Sequence, residues 1–183
     1  MIIDNAFYEN EKITLRKMED SDKELFLEIN RLMPLVTKME NGKEYEDILW
    51  EGYRKPTTIS YFVLDNHIHT VLGICQLDHI DTKTPHIGID ILEKYRQQGY
   101  GYEAMRLLIQ NVHLICEADY FIWRCFQDNL GSQCLAKKLG GILINKMPGF
   151  PEHIIQIAKE KGIFSSEEEI PVLYEYKIPK EPV

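Results

Sequence analysis

Residues 85–115 place a strand pattern, a glycine loop and a helix pattern in immediate succession. "PHIGIDIL" (85–92) is an apolar run of strand length. "YRQQGYGYEAM" (95–105) follows, with Gly99 and Gly101 two apart. Beyond it, Ala104, Leu107, Leu108, Val112 and Ile115 recur at helical spacing, so a helix is expected from about 101 to 115. Flexible residues at a helix start have two uses. One is a plain turn. The other is a loop whose bare N–H groups meet an anion. A helix N-terminus carries unpaired donors and partial positive charge, and glycine lets phosphate oxygens approach the backbone. Lys94, Arg96 and Arg106 add local positive charge in a chain whose net charge is −8. The patterns G-x-x-x-x-G-K-S/T and G-x-G-x-x-G are both absent, so two familiar phosphate loops do not fit.

The surrounding pattern supplies the rest of an α/β domain. "KITLRKM" (12–18) alternates like a half-buried strand. "EDSDKELFLEINRLM" (19–33) reads as a helix, with Asp20 or Ser21 as N-cap and Leu25, Ile29 and Leu32 as its stripe. A second helix is expected near 43–53. Residues 59–80 read as two strands around a turn at Asp65-Asn66. "YFIWRCF" (120–126) reads as a central strand. "DNLGSQCLAKKLGG" (128–141) is a short helix capped by Asp128 or Asn129 and ended by Gly140 and Gly141. "ILINK" (142–146) and "VLYEYKI" (172–178) are late strands, with a helix at 152–162 between them. One mixed α/β domain over 1–183 is expected.

The acidic balance, 21 basic against 29 acidic residues, argues against non-specific nucleic-acid binding. No apolar stretch approaches the ~18 residues of a membrane span. The start "MIID" lacks the basic region and apolar run of a signal peptide, and a cytoplasmic protein is expected. Acidic residues crowd 39–52 and 165–170. They read as solvated surface or as a field attracting a cationic substrate. Cys75, Cys116, Cys125 and Cys134 lie in apolar segments without a C-x-x-C pair, and are expected to be buried, reduced thiols. No metal site is expected at these spacings. Trp50 and Trp123 read as packing.

Two motifs together carry a resemblance. Arg96-Gln97-Gln98-Gly99-Tyr100-Gly101 resembles the acyl-CoA pyrophosphate loop of the Gcn5-related N-acetyltransferase (GNAT) superfamily. Asn129, Ser132, Leu135, Lys138, Leu139 and Gly140 match that family's N-x-x-S-x-x-L-x-x-K-L-G segment. The likeness rests on motifs over 84–147 and on element order over 11–83 and 172–178, which leaves 148–170 as a family-specific insertion. It implies a mixed, mostly antiparallel sheet flanked by helices, with strands splayed at the acyl-CoA site. It also implies transfer of an acetyl group from acetyl-CoA to a primary amine of a small molecule or peptide. A non-catalytic acyl-CoA sensor and an acyltransferase using a longer acyl-CoA are the rival readings. Dimers are common among similar proteins, so a homodimer is a further expectation.

By the same resemblance, backbone groups of Ile89, Asp90, Ile91 and Leu92 contact the cofactor, the loop from Arg96 to Tyr102 holds its diphosphate, and Asn129 and Ser132 contact its pantetheine or phosphate end. The within-chain reading of Asn129 and Ser132 is helix capping. The chemistry sets its own demands. A lysine-type amine has a pKa of about 10.4, so roughly one in 2,500 is neutral at pH 7, a cost of about 4.6 kcal/mol. A base or a water chain relieves part of that cost. Asp90 and His86 are the candidates, since 86, 88 and 90 share one face of a strand, with Glu93 as a third. His86 has the more suitable ordinary pKa, while Asp90 needs a raised one. Many relatives place a proton-donating tyrosine four residues after the motif serine, where this chain has Ala136. Cys134, Tyr174 and Tyr176 are then the neighbouring groups to follow, with packing as the alternative for each.

Overall fold

The computed structural model describes residues 7–32, 42–160, 162, 166 and 169–181. In chain order the elements are β1 (Phe7–Glu9), β2 (Ile13–Lys17), α1 (Lys23–Arg31), α2 (Gly42–Tyr53), β3 (Ile59–Asp65), β4 (Val71–Asp78), β5 (His86–Ile91), α3 (Tyr100–Asn111), β6 (Phe121–Phe126), α4 (Leu130–Lys138), β7 (Ile142–Pro148), α5 (Glu152–Glu160) and β8 (Val172–Ile178). The strands form one sheet in the order β1-β2-β3-β4-β5-β6-β8-β7. Every neighbouring pair is antiparallel except β5 with β6, which is parallel. Among the described residues no helix is long and apolar enough to cross a membrane.

Both faces of the central strands are buried, which is why 59–65 and 71–78 read as near-continuous apolar runs. Successive side chains alternate between the faces. Val63, Cys75, Leu77, Ile87, Phe121 and Trp123 meet Ala104, Met105 and Leu108 of α3 on one face. Phe62, Ile74 and Leu92 meet Phe26, Leu27, Ile29 and Trp50 on the other. The Phe26 and Trp50 rings lie 5.2 Å apart, so Trp50 packs α2 onto α1. Each such large apolar side chain, fully buried, contributes on the order of 2 kcal/mol.

Several boundaries differ from the sequence expectation. Strand β1 was not foreseen, because three residues carry no periodic signal. Asp20–Asp22 form a tight turn before α1 instead of capping it, and the Asp22 carboxylate accepts from the Glu19 amide at 2.9 Å. The buried side of α1 is Phe26, Leu27, Ile29 and Asn30, while Leu32 is exposed. Helix α3 stops at Asn111, and Val112–Leu114 tighten into a further turn. Cys75 and Cys125 are buried and Cys116 is half-buried, but Cys134 is exposed, contrary to expectation. The acidic stretch 39–52 is described only from Gly42, and its carboxylates are partly compensated: Arg31 pairs with Glu46 at 2.6 Å and Lys23 with Asp47 at 2.7 Å. Half of 165–170, namely 165, 167 and 168, lies outside the described residues.

Candidate active site

The sheet opens between β5 and β6. The only registered pair between them is His86 with Ile122, where the Ile122 amide donates to the Pro85 carbonyl at 3.0 Å. On their outer sides both strands are paired along their length, β5 to β4 and β6 to β8. From Ile87 onward the inner edge of β5 therefore faces a cleft. The β3–β4 register shifts at Val63/Leu64, and β5 lies close against Gly73, where an added Cβ would fall 2.1 Å from the Asp90 carbonyl oxygen.

Alternation decides which backbone groups look into the cleft. The Pro85 carbonyl points to β6, and the Leu92 amide points to β4, where it donates to the Leu72 carbonyl at 2.9 Å. The Ile87 amide completes the His86/Ile122 pair, so Ile89 and Ile91 present their amides and carbonyls to the cleft, and Asp90 presents its own to β4. Leu92 does not fit the role assigned to it from sequence. Its amide is taken by Leu72, its carbonyl accepts from the Tyr95 amide at 2.9 Å, and its side chain is in the core.

The glycine loop closes one end of this cleft. Gly99 is the N-cap of α3 with φ +84°, a left-handed backbone that favours glycine, and no side chain caps the helix. The first bond into the helix runs from the Glu103 amide to the Gly99 carbonyl at 3.1 Å. The amides of Tyr100, Gly101 and Tyr102 thus precede the intrahelical ladder and form an uncapped, partly positive N-terminus. Gln97 also has positive φ, +60°. The loop is braced from outside. The Gln98 side chain donates to the Lys94 carbonyl at 2.9 Å, and Lys12 Nζ donates to the Gln98 carbonyl at 3.0 Å. The Tyr100 hydroxyl donates to Asp65 at 2.7 Å. That bond, with the Ile68 and His67 amides, holds the Asp65 carboxyl below its ordinary pKa and pushes the Tyr100 phenol up. Lys12 and Asp65 have no signal in sequence, because they meet the loop across long stretches of chain.

The second motif comes to the same place. A Cβ on Gly101 would lie 3.3 Å from Leu135 Cδ2 and 3.9 Å from Ile91 Cγ1, so β5, the loop and α4 converge there. Asn129 caps α4 by accepting from the Ser132 amide at 3.0 Å. The Ser132 oxygen in turn accepts from Trp123 Nε1 at 2.9 Å, and its hydroxyl is hydrogen-bonded to Cys125. Ala136 is fully buried. Tyr176 is buried beneath α4, its hydroxyl 3.4 Å from Gln133, and burial pushes its pKa up. Tyr174 lies on the same face with Lys146 over its ring at 4.8 Å.

His86, Gly88 and Asp90 project from the opposite face, the one that α1 and α2 cover further along, because Asp90 is paired with Ile74. Gly88 leaves open space between its two neighbours, since nothing lies within 4 Å of where its Cβ would be. Asp90 is exposed at the sheet surface; desolvation of its carboxyl pushes its pKa up while Arg96 pulls the other way. His86 is half-buried, and burial first, then Arg124 and His79, pull its pKa down against Asp78 and Glu175. Both shifts favour an unprotonated imidazole and a more basic carboxylate. Among the described residues no cluster of His, Cys, Asp and Glu is arranged to hold a metal ion.

A model of the acetyltransferase (GNAT) domain matches residues 12–142. The chain belongs to the GNAT acetyltransferase family. No curated protein matches it. Its GNAT fold, a mostly antiparallel eight-stranded sheet flanked by helices, recurs in solved structures. Spermidine N-acetyltransferase from Vibrio cholerae in complex with CoA and spermine superposes with a TM-score of 0.68 at 14% identity, over 94% of this chain and 98% of that one. A chimera of that enzyme with hSSAT gives 0.68 at 13%, over 93% and 96%. A domain from Methanocaldococcus jannaschii gives 0.64 at 20%, over 92% and 100%. GNAT acetyltransferases use acetyl-CoA, and the split edge of β5 and the uncapped start of α3 suit its amide-bearing arm and its diphosphate.

Proposed function

We propose that the chain transfers an acetyl group from acetyl-CoA to a primary amine of a small molecule or peptide. The observation that carries this reading is the single β5–β6 pair at His86/Ile122, with an uncapped helix start at one end of the opening. Bound acetyl-CoA would supply the activated thioester. Ile89 and Ile91 would hold the arm through backbone groups, and the amides from Tyr100 to Tyr102 with Arg96 would hold the diphosphate. Ser132 would meet the arm at the start of α4, where the Asn129 cap keeps it in place.

The amine would arrive on the other face, through the space above Gly88, between His86 and Asp90. Either group relieves the cost of deprotonating an ammonium. No tyrosine stands at position 136 to protonate the departing thiolate, but a thiol with a pKa of about 8.5 is a tolerable leaving group without one. The V. cholerae neighbour bound to spermine makes polyamines the first acceptors to try.

The test is release of free thiol from acetyl-CoA in the presence of an amine panel: polyamines, aminoglycosides and peptide N-termini. Transfer to at least one is expected, and silence across the panel would count against it. Ala136 favours one other reading, an acyl-CoA sensor, which calorimetry would reveal as tight CoA binding without turnover. Propionyl- and succinyl-CoA in the same assay separate a longer-acyl donor.

A further inference from the structure

A second histidine stands at the rim of the face that carries His86. His79 follows β4 with φ +57°, a left-handed backbone that a residue with a side chain adopts at a cost. A compact set of bonds holds it. Its carbonyl accepts from the Thr82 amide at 3.0 Å and the Thr82 hydroxyl at 2.9 Å. Its amide donates to Asp78 Oδ1 at 2.8 Å, and the Thr58 hydroxyl anchors that same oxygen at 2.7 Å. Asp78 Oδ2 lies 3.2 Å from His79 Nδ1. The outcome is an imidazole laid over His86, with ring centroids 4.4 Å apart and planes 35° apart. The β4–β5 ladder ends at Asp78/His86 and His79 is exposed, while the next residue, Ile80, returns to the core with its amide on the Thr57 carbonyl at 3.1 Å.

We propose that His79, fixed by Asp78, is a positioning residue for His86 as the proton acceptor of acyl transfer. This rests on reading the chain as an N-acetyltransferase. The two rings lie against each other at a tilt, and His79 is one of the groups that lower the His86 pKa. Asp78 stands beside Nδ1 of His79 and holds that ring in place over His86. The other groups facing His86 are Arg124 from β6 and Glu175 from β8, which are paired with each other at 2.7 Å. Lys177, also on β8, turns its ammonium onto the Tyr120 ring at 4.3 Å. His86 is therefore presented unprotonated and with its ring fixed, next to the space above Gly88.

The step balances as follows. The acceptor ammonium gives one proton to His86 and becomes a neutral amine. Its lone pair forms the N–C bond, and the C–S bond breaks with its electron pair on sulfur. A second proton leaves the former amine nitrogen and neutralises the thiolate. His86 returns its proton to water past the exposed His79.

The test uses the full chain and the variants H79N, H79G and H86Q. Asparagine and glycine are chosen at position 79 because they tolerate the left-handed backbone. Two readouts are followed: the pH profile of kcat/KM for the amine, and the titration of the His86 ring by NMR. In H79N and H79G, acetyl-CoA affinity stays unchanged, while the acid limb and the His86 titration move together to higher pH, because His79 no longer lowers the His86 pKa. In H86Q that limb disappears and kcat falls on the order of 100-fold. If H79N and H79G match the wild type in both readouts, the inference is overturned and the enzymatic reading stands. If the wild type binds CoA but acetylates no amine, the enzymatic reading fails and this inference fails with it.

Discussion

Arg96 Nε donates to the carbonyl of Ile91 at 2.8 Å, so a loop side chain occupies a backbone acceptor on the edge of β5 that faces the cleft. The bond ties the glycine loop to the strand that feeds it, and it orders the guanidinium beside the start of α3. Replacing Arg96 with alanine removes both the tie and the charge. Because Arg96 is exposed, the expected cost is small, on the order of 1 kcal/mol or about fivefold in CoA affinity. Calorimetry with CoA checks it, and the loss should shrink as salt is raised, since an exposed charge is screened.

Gly101 tests the anion site more severely. A glutamate there adds a side chain against Leu135 and Ile91 and brings a negative charge to the helix start. CoA affinity should fall roughly 100-fold, about 2.7 kcal/mol. If the loop were only a turn, G101E would leave CoA binding untouched.

Much of this site was legible because its parts are local in sequence. The loop 96–101 and the cap at Asn129 are short motifs whose backbone geometry follows from residue type, and both form as expected. The face shared by His86, Gly88 and Asp90 follows from strand alternation alone. What escaped depends on distant partners. Lys12 meets Gln98, Asp65 meets Tyr100, and His79 stacks on His86, and no periodicity announces these contacts. Leu92 was misread for a related reason. One residue past β5, the backbone alternation turns its amide to Leu72, which a strand boundary drawn from sequence cannot resolve.

The open space over Gly88 gives a prediction that separates the two substrates. G88V adds a branched side chain where nothing lies within 4 Å, so the protein should fold. The valine would stand between His86 and Asp90, where the amine is proposed to enter. KM for the amine should rise at least tenfold, about 1.4 kcal/mol, with CoA affinity unchanged. Paired kinetics and calorimetry check this, and equal losses for both substrates would place the amine route elsewhere.

Thiol labelling checks the cysteine environments. Cys134 is exposed, Cys116 half-buried, and Cys75 and Cys125 buried, with burial pushing the thiol pKa up at Cys75, Cys116 and Cys125. The folded protein should therefore show one fast-reacting thiol under native conditions, and C134S should remove it. A fast phase that persists in C134S would contradict this arrangement. The variant also clears the background in the thiol-release assay.

The Tyr100–Asp65 bond gives a pH prediction with a definite sign. The Tyr100 hydroxyl and the His67 and Ile68 amides hold the Asp65 carboxyl below its unfolded value of about 3.9. A carboxyl whose folded pKa is depressed binds fewer protons in the folded state than in the unfolded one. Its stabilisation is fully present above the unfolded pKa and is lost as pH falls through the folded pKa. Y100F removes the first of these donors and lets the Asp65 pKa rise toward its ordinary value. The variant should therefore be less stable than the wild type at neutral pH, and the difference should narrow as pH drops below about 4. Because Tyr100 opens α3 at the glycine loop, Y100F should also weaken CoA binding at neutral pH while leaving KM for the amine unchanged. Thermal melts across pH 3–7, read beside CoA calorimetry, check both; a stability gap that widens toward acid would mean Asp65 is not the group being held.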